Sequence, residues 1–158
     1  MAEDIKDISL STKKSFRIDG DNNRIIWLDT SDMNIMVRLD EVYPEMRKLA
    51  IEAQDRLAKS EVSKTEGEET SPLNDISAIL KDIDKQMREK IDYIFASEVA
   101  DVCEPTGNMY DPVNGEFRFE HIIDVLTTLY ANNIKAEYKK MADRVKKHTA
   151  KYTNKRKR

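Results

Sequence analysis

Apolar positions along this 158-residue chain fall into one short alternating patch followed by long stretches of helical period. The alternating patch comes first. Lys14-Ser-Phe-Arg-Ile18 and Arg24-Ile-Ile-Trp-Leu28 flank the polar run Asp19-Gly-Asp-Asn-Asn23. Two β-branched and aromatic runs around such a cluster predict a β-hairpin over residues 14–28. Phe16 and Ile18 alternate onto one face, and Ile25, Trp27 and Asp29 alternate on the other strand. A lone two-stranded hairpin is not stable in water, so it must lean on a helix or on another copy.

Thr30-Ser31-Asp32 offers hydroxyls and a carboxylate to orphan amides, which marks a helix start. Met33, Met36, Val37, Val42, Tyr43, Met46, Leu49, Ala50, Ala53 and Leu57 then recur at three- and four-residue steps. That period predicts an amphipathic helix of roughly 25 residues. Pro44 interrupts it, as a kink in one helix or as the first turn of a second. Residues 59–71 (KSEVSKTEGEETS) have almost no apolar content and read as an acidic linker.

Ser71-Pro72 places a cap before a proline at the first helical position. The helix it opens carries Ile76, Ile79, Leu80, Ile83, Met87, Ile91, Ile94 and Phe95 on one stripe. Lys81, Asp82, Lys85, Arg88, Glu89 and Lys90 form the opposite, solvated face. A short turn or helix then points Val99 and Val102 inward, and Glu104–Glu116 holds half of the chain's prolines and glycines, so it reads as a loop. Phe117 or Phe119 opens a last helix, with Ile122, Ile123, Leu126, Leu129, Tyr130, Ile134, Tyr138, Met141 and Val145 on one side. From Phe119 to Val145 that helix would be about 40 Å long.

The pattern predicts a mainly α fold: a small bundle of three or four helices with an N-terminal β-hairpin. Its divisions are a flexible N-terminus over 1–13, one helical domain over 14–147 and a basic flexible tail over 148–158. Composition agrees. Charged residues supply 36% of the chain and apolar ones 39%, which suits thin apolar stripes and broad solvated faces. Four glycines and four prolines are too few for a many-stranded sandwich, a barrel or a Gly-rich nucleotide fold.

Cys103 is the sole cysteine, which rules out an intrachain disulfide. The first thirty residues carry no apolar core of signal-peptide type, and no window resembles a membrane span. The expectation is a cytosolic protein. The net charge of −3 conceals a division: residues 139–158 hold ten Lys and Arg against Asp143, or +9, which leaves −12 on the rest. Such a basic end can bind an anionic partner or fold back on an acidic body.

Candidates for catalysis are sparse. His121 and His148 lie 27 residues apart on one predicted helix, tens of ångströms from each other. His121 with Glu120 and Asp124 could form a base and its orienting carboxylates, but a surface histidine near local acids is the plainer reading. Cys103, flanked by Asp101 and Glu104, has a discouraged thiolate and reads as a small buried residue. Asp19-x-Asp21-x-Asn23 opens like a calcium loop, but Arg24 replaces the required glycine and Thr30 the closing Glu. No phosphate-loop, dinucleotide, zinc-protease, nucleophile-elbow or CxxC motif occurs. The expectation is a non-enzyme without cofactor or metal.

Ten cations near the C-terminus make Lys146, Lys147, Lys151, Lys155, Arg156, Lys157 and Arg158 a candidate anion-binding tail. Only Tyr152 and Tyr138 are placed to stack on bases, so the sequence favours a solvated or protein-directed tail over nucleic acid. Methionines at 33, 36, 46, 87, 109 and 141 fit core gaps or an adaptable binding surface.

The order of elements, with Lys90-Ile-Asp-Tyr-Ile-Phe95, the Val99 and Val102-Cys103 stretch, and Phe119-Glu-His-Ile-Ile-Asp-Val-Leu126, resembles the tail assembly chaperones of long-tailed bacteriophages. The resemblance spans roughly residues 15–145 and rests mostly on apolar positions. It departs from the family at Ala96-Ser97-Glu98, where a Gly-rich turn is usual, and in the longer Met109–Gly115 loop. It implies a non-enzymatic protein of the bacterial host cytoplasm that binds the tape measure protein and tail tube subunits and is absent from the finished virion. Contact with them is expected around the junction of the last two long helices, at Tyr93, Phe95, Tyr110 and Phe117. The hairpin edge would support self-association by strand pairing. A structural virion protein of the tail or head–tail connection, and a small nucleic-acid-binding regulator, are the alternatives.

Overall fold

A computed structural model describes residues 3–65 and 72–156, with side chains described outside 61–65, 72–74 and 152–156. Residues 3–13 form neither helix nor strand. Strands β1 (Lys14–Arg17) and β2 (Ile25–Leu28) then pair antiparallel, with Phe16 opposite Ile26. Ile18 donates to the Arg24 carbonyl at 2.8 Å, and Asp19 and Gly20 take positive φ in the turn.

The hairpin forms as the sequence predicts, but its inner face is the opposite one on β2. Ile26 and Leu28 are buried, while Ile25 and Trp27 point outward at 44% and 55% exposure. All four residues of β2 are apolar, so alternation alone cannot tell which pair turns inward. The register decides: Phe16, packed against the core, lies across from Ile26, and a one-residue difference exchanges the faces.

Helix α1 spans Ile35–Thr65 and contains Pro44, so the expected apolar stripe is carried by one helix. It starts later than the Thr30-Ser31-Asp32 signal suggests. Asp29 and Asp32 accept from the backbone amides two residues on, at 3.1 and 2.9 Å, and this turn precedes the first helical residue. The first half of the expected linker is helical, because nothing in residues 59–65 breaks a helix already under way. Residues 66–71 lie outside the described residues.

Helix α2 spans Pro72–Phe95, with proline at its first position, and packs along α1. Its end is a Schellman turn. Ala96 donates to the Tyr93 carbonyl and Ser97 to that of Asp92, with Ala96 itself at φ 50°. The Asp92 carboxylate then accepts from the Val99 and Ala100 amides at 2.9 and 2.8 Å, which anchors the short helix α3 (Ala100–Cys103).

The loop that follows contains a second, minimal hairpin. Strands β3 (Pro112–Val113) and β4 (Glu116–Phe117) close around Asn114-Gly115, both at positive φ, the two-residue turn that suits strand twist. Helix α4 begins at once, at Arg118, and runs to Arg156. Phe119, Ile123, Leu126 and Tyr130 bury its first third, together with Met46, Met87, Ile91 and Met109 from the other elements. From Tyr138 to Lys151 every side chain is exposed.

The segment 148–156, expected as a flexible tail, therefore continues α4; no Gly or Pro follows Gly115, and Lys and Arg suit a helix C-terminus. Among the described residues no helix is long and apolar enough to cross a membrane.

Candidate partner-binding site

Three arginines lace the loops at one end of the bundle. Arg88 reaches from α2 to Asp84 at 2.8 Å, to Asp101 at 3.0 Å, and to the carbonyls of Glu104 and Gly107 at 2.7 and 2.6 Å. Its side chain is only 16% exposed, so it does not belong to the solvated face on which helical period places it. Arg24 donates from the first hairpin to the Val102 and Cys103 carbonyls at 2.9 and 2.8 Å, covering the negative end of α3. Arg118 binds Glu104 at 2.6 Å.

Burial opposes ionisation of Glu104, but amides of Gly107 and Thr106 and the Arg118 charge outweigh it and hold the carboxyl below its usual range. The loop is thus fixed by charged groups that already have partners.

Against this laced loop lies a cleft of about 410 Å³, between the β1–β2 turn, the Cys103–Thr106 segment and the first turns of α4. Ile18, Val113, Ile122, Val125 and Leu126 give it apolar lining, with Asp19, Arg24, Glu104 and Arg118 as its charged members and the His121 imidazole beside them. Val125 is half exposed. Because Arg24 is committed to two carbonyls and Arg118 Nη1 to Glu104, with the unbonded Arg118 Nε buried and 3.7 Å from Asp111, the cleft suits an apolar side chain better than a free anion.

Cys103 forms part of the wall, and its thiol is pushed up to about 11, chiefly by burial, with Arg24 opposing and Asp92, Asp19 and Glu104 adding to it. The thiol is therefore protonated at neutral pH, a poor nucleophile. His121 faces Glu116 at 3.4 Å, whereas Glu120 is held by Arg47 at 3.2 Å; the base and orienting pair suggested by sequence does not form.

The four residues expected at the partner surface separate. Phe95 is 3% exposed and packs on Tyr130 at 5.9 Å between ring centres, so it is core and closed to a partner. Phe117 stacks on Phe119 at 5.9 Å and is half-buried, as is Tyr110. Tyr93 alone of the four offers about half its surface, with its hydroxyl hydrogen-bonded to Glu41 of α1. Lys146, Lys147 and Lys151 are exposed on α4; the side chains of Lys155 and Arg156 and all of Lys157 and Arg158 lie outside the described residues.

The methionines divide. Met46, Met87 and Met109 are core, while Met33, Met36 and Met141 are each 58% exposed. Of the cleft floor, Val125 alone falls outside the single stripe that helical period assigns to this helix. With Ile122 it forms a second apolar edge beside Phe119, Ile123, Leu126 and Tyr130. One core-facing stripe does not need both edges. Comparison of the chain with protein-family models, with curated proteins and with solved structures finds no match to any of them.

Proposed function

We propose that this chain is a bacteriophage tail assembly chaperone, acting in the host cytoplasm by binding the tape measure protein, the tail tube subunits or both, without catalysis. The observation that carries the reading is the cleft: an open apolar floor beside charged groups already engaged within the chain. A long helical protein with apolar stripes, such as a tape measure protein, would lay side chains spaced three and four residues apart into a groove of this kind. The order of hairpin, paired helices, short helix and long last helix is the order on which the resemblance rests, and it supports the same reading.

Co-expression with the tape measure protein tests it. A soluble, stoichiometric complex in size-exclusion chromatography with light scattering is expected. Val125→Glu, which puts a charge on the half-exposed floor, should reduce capture at least tenfold while leaving the helical circular dichroism unchanged. Absence of a complex, together with presence of this chain in purified particles, would replace the chaperone by a structural component of the virion.

A further inference from the structure

Two apolar surfaces that the core does not use begin at the same place. Residues 3–11 leave the body as an arm with Ile5, Ile8 and Leu10 exposed at 89%, 80% and 84%. The arm is rooted where Thr12 donates to Asp29 at 2.8 Å and Lys14 to Asn133 at 3.0 Å. Asn133 is also where α4 leaves the body, its side chain amide bound to the Thr30 carbonyl at 3.2 Å. Beyond it, Ile134, Tyr138, Met141 and Val145 lie on one helical face, the last three exposed at 52%, 58% and 64%. Met33, Ile134, Tyr138 and Met141 border a small apolar hollow of about 130 Å³ at its base.

The two surfaces complement each other in charge and in reach. Residues 3–10 carry Glu3, Asp4 and Asp7 against Lys6, a balance of −2. Residues 135–147 carry six Lys and Arg against Glu137 and Asp143, a balance of +4. Nine extended residues reach about 30 Å, and the stripe from Ile134 to Val145 is about 17 Å long. Pairing α4 with α4 would instead bring two basic segments together, which the charges oppose.

We propose that the arm of one copy lies on the α4 stripe of a second copy, so that two chains exchange N-terminal arms across a two-fold axis. Each dimer then closes both surfaces twice, since residue i of one chain meets residue j of the other and the converse. The assignment is independent of the chaperone reading, because it concerns this chain with itself.

Light scattering on the full chain should give twice the single-chain mass of 18.3 kDa. The double variant Ile8→Asp with Leu10→Asp, and separately Met141→Glu, should each halve that mass without loss of helical signal. In a Cys103→Ser background, a Leu10→Cys protein mixed with a Met141→Cys protein should form a disulfide-linked pair on mild oxidation. A wild-type mass of one chain up to several hundred micromolar would overturn the proposal. So would a dimer that survives both sets of substitutions, or a link that forms only within a single chain carrying both cysteines.

Discussion

Removal of the Arg88 guanidinium takes a donor from Asp84 Oδ2, whose carboxylate keeps only the Met109 amide, and from the Glu104 and Gly107 carbonyls in a part-buried site. Arg88→Ala is therefore expected to destabilise the protein by about 2–4 kcal/mol in urea unfolding, and Arg88→Lys to recover only a minor part of it, because an ammonium cannot reproduce the fork. The residue was not legible as structural. On a helical wheel it belongs with Lys85 and Glu89, and apart from Asp84 its partners come from residues 101–107, which no local pattern brings near α2.

Asp32 is a second such case. Its hydrogen bond from Arg38, which also binds the Ile94 carbonyl at 2.8 Å, lowers the carboxyl below its ordinary value of 3.8. A depressed folded-state pKa stabilises the fold above the unfolded value, and the contribution disappears as pH falls through the folded one. The stability difference between wild type and Asp32→Asn should thus be largest near neutrality and vanish on acidification below 3.8, as read by urea midpoints across pH.

Helix ends and strand faces are where the elements depart from what their sequences suggest. The end of α2 was expected without its usual glycine, and the structure shows the consequence: Ala96 occupies the left-handed position of a Schellman turn at φ 50°. A Cβ there is strained, so Ala96→Gly should raise stability by about 0.5–1 kcal/mol in thermal unfolding, the reverse of glycine's usual effect.

The apolar runs placed α1, α2 and the core third of α4 because their period of three and four residues is set by the helix itself. The β2 strand was less legible, since four consecutive apolar residues carry no phase and Phe16 across the ladder supplies it. The β3–β4 segment reads as loop in the sequence although Asn114-Gly115 is the strongest two-residue hairpin signal, because strands of two residues leave no alternation to see. The cleft depended on all of these at once, since its walls come from the first hairpin, the Cys103–Thr106 segment and α4.

At the scale of the whole molecule, the charge division visible in the sequence becomes a division in space, an acidic body and a basic helix leaving it. Residues 146–158 contain seven Lys and Arg and no acid, so ending the chain after Val145 takes the net charge from −3 to −10. The core ends far earlier, at Tyr130, and stability should change by less than about 0.5 kcal/mol, as measured by thermal unfolding. A tail assembly chaperone shortened in this way would still capture the tape measure protein, whereas a nucleic-acid-binding regulator would lose its affinity and its salt dependence together.

The same helix governs how the protein moves in solution. At 39 residues α4 is about 58 Å long, while a compact chain of this length has a radius of gyration near ~15 Å. A single chain is thus a knob on a rod, spinning quickly about α4 and turning end over end slowly. Backbone N–H bonds lie nearly along a helix axis, so the amides of α4 sense the slow rotation and those set across it sense the fast one.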